Sequence, residues 1–306
     1  MSTIERELVI VGAGPAGVSA ALWARSRHLD VLLLEGAGAP GGQLAHVHFQ
    51  PREIVGWLSG DGPALAMAMT RQLAGAGVPV RYGIRAEGLT VDQDLTLRLT
   101  GGDRIRARAV LVAAGARRRR LGVPGEREFE GRGVSFSATL DRERLAGRPV
   151  VVVGGGDAAF ENALMLAGLG GEVTVVVRGE VRARREFRER LAAERKALVL
   201  RQTHVVAVLG DERVNAVRVR GAQGVREFAC EGVVVKLGVS PNTEWCADVL
   251  GLDGDGFIRV DAGLATTLPG VWAAGDVTRP ALAAVPVAAG QGALAVAAIR
   301  SAVRSA

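Results

Sequence analysis

The sequence predicts an α/β protein built from two Rossmann-like domains, each a three-layer ββα arrangement, and two observations carry that prediction. A strand, a glycine-rich turn, a helix and a second strand succeed one another near the N-terminus, and the same succession returns near the middle of the chain. Each copy occupies about thirty residues, the size of a βαβ unit that binds a dinucleotide. The length of 306 residues is about two domains' worth, and a composition of 48% hydrophobic and 23% charged residues is that of a soluble globular protein. The 42 glycines imply many tight turns or close backbone approaches.

In the first copy, the apolar run Glu7–Val11 reads as a short buried strand. It enters the turn Gly12-Ala13-Gly14-Pro15-Ala16-Gly17, followed by a helix over Val18–Arg27 and a strand Val31–Leu34 that ends at Glu35. In the second copy, the strand Pro149–Val153 enters Gly154-Gly155-Gly156-Asp157-Ala158-Ala159. A helix over Phe160–Leu169 follows, then a strand Val173–Val177 that ends at Arg178. The first glycine of such a turn makes the sharp bend, the second lets the backbone approach a pyrophosphate, and the third position lets helix and strand pack closely. The pyrophosphate then sits on the helix N-terminus, whose free N–H groups and dipole favour anions.

The residues that close the two units differ, and the difference assigns ligands. Glu35, twenty-three positions after Gly12, can accept hydrogen bonds from the ribose hydroxyls of an adenosine. Arg178, twenty-four positions after Gly154, would instead meet a 2′-phosphate, with Arg182 and Arg184 nearby to reinforce it. Ala159 at the third position also fits. The first site is therefore read as an FAD site and the second as an NADPH site. The bland alternative for Arg178 is a solvated arginine at a strand end, since Glu180 lies close by.

Two further stretches suit a protein with two dinucleotides. Val110–Ala114 is a buried strand running into Gly115, and Gly270-Val-Trp-Ala-Ala-Gly275-Asp276-Val277 places an acid beside a glycine at a strand end. Asp276 is there suited to a ribitol hydroxyl. The helix expected over Ala288–Arg300 would aim its positive end at a flavin ring and stabilise the negative charge of the reduced form.

Composition excludes other classes. Aromatic residues make up only 4%, which argues against a stacking platform for single-stranded nucleic acid. The charge of +6 comes from 38 basic residues of which only Lys196 and Lys236 are lysines, and their scatter reads as an arginine-rich composition rather than a polyanion site. Cys230 and Cys246 lie sixteen positions apart, so no CxxC and no metal-ligand cluster exists. Scarce cysteines fit a reducing, cytoplasmic setting. The N-terminus does not read as a signal peptide. No uninterrupted apolar run reaches the roughly 20 residues of a membrane span, so neither a membrane nor a nucleic acid is expected as a partner.

With these residues in hand, the chain resembles the low-molecular-weight thioredoxin reductases of the pyridine nucleotide-disulfide oxidoreductases. The resemblance rests on VGAGPAG at 11–17, GGQL at 41–44, VAAGARRRRLGVPGE at 112–126, GGGDAAFENAL at 154–164, LGVSPNT at 237–243 and WAAGDV at 272–277. It implies an FAD domain made of residues 1–117 and 239–306, with the NAD(P)H domain, 118–238, inserted between them. It also implies a homodimer and a twist of one domain on the other, with hinges near Arg117–Gly122 and Lys236–Ser240. The cofactor residues it implies are Gly12, Gly14, Pro15, Ala16, Gly17, Glu35, Gly42, Gln43, Ala114, Gly115, Gly275 and Asp276 for FAD. For NADPH they are Gly154, Gly156, Asp157, Ala159, Arg178 and Arg182.

The departures from that resemblance are as informative. Thioredoxin-reducing members carry Cys-Ala-Thr-Cys-Asp before the second unit, where this chain reads Ser137-Ala138-Thr139-Leu140-Asp141. Serine and leucine can neither form a mixed disulfide nor carry two electrons. The usual dithiol reaction is thereby excluded, and Cys230 and Cys246 read as ordinary thiols. Asp141 is a candidate proton donor whose partner sulfur is gone. The phosphate clamp keeps two arginines and loses one, so NADH is a second candidate beside NADPH. Where the family has Arg-Gln-Ala before the last helix, Ala283-Ala284-Val285 stands here. No aromatic C-terminal extension of the kind found in thioredoxin-reductase-like ferredoxin–NADP reductases is expected. Within Arg117–Arg120, Arg119 matches an arginine of the family and the others read as a solvated face rather than an acidic docking surface, while His46 and His48 read as surface loop residues rather than flavin neighbours.

These readings converge on an FAD-dependent NAD(P)H oxidoreductase whose flavin meets its acceptor directly, the acceptor being ferredoxin, flavodoxin, a quinone or a small molecule. The alternatives are a ferredoxin- or flavodoxin-NADP reductase-like enzyme, a small-molecule disulfide reductase or dithiol oxidase, and a flavin-binding protein with little turnover.

Overall fold

The computed structural model describes residues 4–47, 50–91 and 94–305. The N-terminal part of the chain holds β1 (Ile4–Val11), α1 (Pro15–Ser26), β2 (Val31–Glu35), α2 (Gly62–Gly75), β3 (Val80–Tyr82), β4 (Ala86–Val91), β5 (Leu95–Leu99), β6 (Arg104–Val112) and β7 (Ala116–Arg118). Then come β8 (Val134–Ser135), α3 (Arg142–Leu145), β9 (Val150–Val153), α4 (Asp157–Gly168), β10 (Val173–Val176), α5 (Arg185–Ala193) and β11 (Ala197–Leu200). The chain continues through β12 (His204–Gly210), β13 (Val214–Gly221), β14 (Gly224–Ala229), β15 (Gly232–Val235), β16 (Val239–Pro241), β17 (Val271–Ala273) and α6 (Val285–Ser305). It folds as two compact units, Met1–Arg117 with Ser240–Ala306, and Arg118–Val239.

In the first unit the sheet order is β3-β2-β1-β6-β5-β4, with β17 also on β6. Strands β1, β2, β3, β6 and β17 pair in parallel, while β5 and β4 return antiparallel. Residues of β1 and β2 alternate between two apolar layers, as a sheet covered on both faces requires. Leu8, Ile10, Val31 and Leu33 pack with α1, α2 and α6, and Val9, Val11, Leu32 and Leu34 pack toward Leu89, Leu97 and Cys246.

The second unit repeats the scheme with order β11-β10-β9-β15-β8, all parallel, beside a separate antiparallel sheet β12-β13-β14. Val150, Val152, Val173 and Val175 face the helices, and Val151, Val153 and Val176 face Val205, Val217 and Val219 of the antiparallel layer. This is the predicted ββα layering.

Two boundaries differ from expectation for local reasons. Helix α1 begins at Pro15 rather than Val18, because proline fits the first helical position, where no N–H is needed. Helix α4 likewise begins at Asp157 rather than Phe160. A third difference corrects the membrane reading. Val285–Arg304 is long and apolar enough to cross a membrane by length and composition, with mean hydropathy 1.2. No uninterrupted apolar run marks it in the sequence, because Gly290, Gln291, Gly292 and Arg300 punctuate the stretch. One face of this helix packs on α1: a Cβ on Gly292 would lie 2.1 Å from the Ala16 carbonyl oxygen, and Ser19 Oγ donates to the Ala289 carbonyl at 2.7 Å.

Candidate functional site

The first glycine turn joins β1 to α1, and its glycines differ in what surrounds them. Gly12 has φ +106°, and a Cβ there would lie 2.4 Å from the Ala113 carbonyl oxygen. A Cβ on Gly17 would lie 1.8 Å from the Gly12 carbonyl oxygen, so α1 can pack on its own turn only through glycine. Gly14 is the open one. Nothing lies within 4 Å of its added Cβ, and no side chain caps the amides of α1 that it precedes. Uncapped amides and the positive helix end beside an open glycine suit a pyrophosphate.

Glu35 ends β2 and braces this turn. Its Oε2 accepts from the Ala13 amide and its Oε1 from the Ala37 amide, both at 2.8 Å. Each oxygen keeps further acceptor capacity for a ribose hydroxyl. The bracing role is one that the sequence reading missed.

Residues from both ends of the chain surround the same helix terminus. The Gly41 amide donates to the Ala13 carbonyl at 2.8 Å, and a Cβ on Gly42 would lie 3.4 Å from Gly14 Cα. Gln43 Nε2 donates to Asp276 Oδ2 at 3.0 Å. Burial raises the Asp276 pKa, and the Gln43 hydrogen bond opposes that rise. Gly275 has φ +80°, and its amide donates to Gln291 Oε1 in α6 at 2.7 Å. Asn242 holds the Ala114–Gly115 peptides: its Nδ2 donates to the Ala114 carbonyl at 2.7 Å and its amide to the Gly115 carbonyl at 3.0 Å. Gln291 and Asn242 were not singled out from sequence, although a glutamine inside an otherwise small, apolar helix is a signal that could have been read.

The second turn joins β9 to α4. Gly154 has φ +148°, with the Lys236 carbonyl oxygen 2.2 Å from its added Cβ, and buried Ala159 packs beneath. Gly156, the N-cap residue, again has nothing within 4 Å and no capping side chain. The Gly155 carbonyl accepts from the Arg182 and Ala183 amides at 2.7 and 2.9 Å, which brings the chain after β10 alongside the turn. Arg178 and Arg182 are exposed, and neither guanidinium has an ion-pair partner among the described residues. Arg184 behaves otherwise than expected. Its Nε pairs with Asp157 Oδ2 at 2.8 Å, its amide donates to Asp157 Oδ1 at 2.7 Å, and its guanidinium stacks 4.6 Å from the Phe187 ring. Arg184 is thus committed to the carboxylate at the start of α4 and does not reinforce Arg178.

The segment Ser137–Asp141 is a tight turn leading into α3. The Leu140 and Asp141 amides both donate to the Ser137 carbonyl at 3.1 Å, and the Leu140 side chain is exposed. Ser135 Oγ donates to Asp141 Oδ2 at 2.6 Å. The carboxylate of Asp141 is therefore occupied by a hydroxyl of the adjoining strand.

The arginine run is not one solvated face. Arg117 pairs with Glu244 and donates to Asn242 Oδ1, Arg118 donates to the Phe136 carbonyl at 3.3 Å, and Arg120 pairs with Glu130 while lying 4.9 Å from the Phe136 ring. Cys230 and Cys246 are buried, and burial pushes each thiol up to about 12. His46 is exposed at the end of a short 3-10 helix, and His48 lies outside the described residues. Among the described residues no cluster of histidine, cysteine and acids could hold a metal.

The sequence profile of the pyridine nucleotide-disulphide oxidoreductases matches residues 6–292. The thioredoxin reductase of Listeria innocua is 34% identical over 295 residues, covering 94% of this chain and 91% of that protein. An NADH dehydrogenase of Ferdinandcohnia aciditolerans is 32% identical over 292 residues, covering 94% of this chain and 56% of that protein, so the chain spans little more than half the length of this relative. The crystal structure of Lactococcus lactis thioredoxin reductase superposes with a TM-score of 0.77 at 31% identity, covering 98% of this chain and all of that one.

Proposed function

Since the chain belongs to the pyridine nucleotide-disulphide oxidoreductases, a flavin- and pyridine-nucleotide-dependent family, we propose that it is an FAD-dependent NAD(P)H oxidoreductase. On this reading it passes electrons from NADPH through the flavin directly to an acceptor, without a protein dithiol. FAD and NADPH, when bound, supply the hydride and electron chemistry; the protein supplies binding, orientation and charge.

The observation that carries the reading is the matched pair of open cradles. Gly14 and Gly156 each precede an uncapped helix with space where a Cβ would stand, and the second strand of each unit is followed or ended by a residue of its own sign, Glu35 or Arg178. Gly12, Pro15, Ala16, Gly17 and Glu35 would hold the adenosine and pyrophosphate of FAD. Gly42, Gln43, Ala114, Gly115, Gly275 and Asp276 would line its flavin side. Gly154, Asp157 and Ala159 would shape the NADPH cradle, with Arg178 and Arg182 on the 2′-phosphate. Direct transfer is supported by Ser137 and Leu140, which carry no thiol, and by the burial of both cysteines.

Anaerobic addition of NADPH to the FAD-loaded protein tests this. The flavin band near roughly 450 nm should bleach, and an added acceptor should restore it without any change in thiol content. A protein that holds no FAD would overturn the reading. One that holds FAD but is not bleached is a flavin-binding protein without this activity.

A further inference from the structure

In the second unit, the chain leaves β15 directly into Lys236, one of only two lysines among 38 basic residues. Its amide donates to the Val153 carbonyl at 2.8 Å, and its carbonyl oxygen is the atom against which Gly154 packs. Its ammonium donates to the Phe136 carbonyl at 2.8 Å. That bond uses one of three donors. The charged groups that bear on it are Arg118, of like sign, and Glu161 on α4, of opposite sign. Burial and Arg118 lower its pKa, which marks a poorly hydrated charge whose field reaches further than that of an exposed lysine.

The sheet order β11-β10-β9-β15-β8 puts the switch point between β10 and β15, on either side of β9. A dinucleotide bound there straddles β9 at the carboxyl ends of the strands. Arg178 follows β10, so the adenosine phosphate belongs on that side. The nicotinamide half then belongs over β15 and β8, whose ends carry Lys236 and Phe136.

Resting on the dinucleotide reading of this unit, we propose that Lys236 discriminates between the two redox states of the nicotinamide, disfavouring the oxidised ring. The oxidised ring is a pyridinium cation and the reduced ring is neutral. A fixed ammonium beside the ring repels the first and leaves the second unaffected, so the product of hydride donation is held more weakly than the reactant. An arginine at this place would carry the charge, and a glutamine would keep the donor to Phe136 without it.

Equilibrium binding to the FAD-loaded protein tests this with two probes, NADP+ and 1,4,5,6-tetrahydro-NADP, whose ring is uncharged and cannot donate a hydride. Wild type should prefer the uncharged ring. Lys236→Gln should shrink that preference roughly tenfold, chiefly by tightening NADP+, the size expected of one like charge in a partly wet crevice. Lys236→Arg should retain the preference. Glu161→Gln, which removes the opposing charge, should widen it. A ratio unmoved by Lys236→Gln, or equal shifts for both probes, would show that Lys236 only tethers Phe136 and would overturn the proposal. Failure of wild type to bind either probe would overturn the dinucleotide reading itself.

Discussion

Gln43 and Asp276, 233 positions apart, meet in a 3.0 Å hydrogen bond in which the amide donates to the carboxylate. It joins a short helix of the first stretch to the strand end of the last. Gln43 stabilises the ionised form of an acid whose pKa burial raises. A group with a raised folded pKa binds its proton more tightly when folded, so its ionisation costs stability as pH rises through that value. Gln43→Ala should therefore destabilise the chain by about 1 kcal/mol at neutral pH. That loss should fade as pH falls through the carboxylate range, where protonated Asp276 no longer needs the donor. Urea melts of both proteins at two pH values measure this; an equal loss at both would show that the bond does not act through the charge.

The glycines of the first turn separate stability from binding. Gly17→Ala drives a Cβ to 1.8 Å from a backbone oxygen and should cost several kcal/mol or prevent folding. Gly14→Ala and Gly156→Ala meet nothing within 4 Å and should change stability by less than about 1 kcal/mol. Gly14→Ala should nonetheless release FAD, and Gly156→Ala should weaken NADPH. Thermal melts beside flavin content and nucleotide titration check the contrast.

How much of this was legible beforehand follows from the range of each interaction. Both βαβ units could be read because their strands and turns are local patterns, with β1 and β9 apolar on both faces. Helices α1 and α4 start three residues before the positions that the sequence pattern marks, because Pro15 and the glycines carry the local signature of a loop. Asn242 meets Ala114 across 128 positions and Gln43 meets Asp276 across 233, and no local pattern encodes such pairs; Gln291 reaches Gly275 across only 16, but from a helix that must first fold back on the turn. Arg184 misled for the same reason: proximity in sequence to Arg178 said nothing of the Asp157 carboxylate that claims it.

That claim yields a prediction about nucleotide choice. Arg178→Ala should raise the Kd for NADPH about tenfold, the loss of one charge-assisted contact to phosphate, and leave NADH unchanged. Arg184→Ala should not alter the NADPH-to-NADH ratio, because Arg184 is engaged with Asp157 and Phe187. Titration with both nucleotides measures the ratio. An unmoved ratio in Arg178→Ala would return that residue to a solvated strand end.

The thiols supply the sharpest test of direct transfer. Cys230 and Cys246 lie in the cores of different units, with thiols pushed up to about 12, so thiolate is scarce at neutral pH. The folded protein should react negligibly with a disulfide reagent, and the unfolded protein should react at both cysteines. In Ser137→Cys/Leu140→Cys, two new thiols stand one tight turn apart, on the turn where the Leu140 amide donates to the Ser137 carbonyl at 3.1 Å. These should titrate in the folded state, and NADPH-dependent reduction of thioredoxin should appear only in this variant. Rapid labelling of the folded wild type, or thioredoxin reduction by it, would mean that a thiol takes part in the natural reaction and would end the direct-transfer reading.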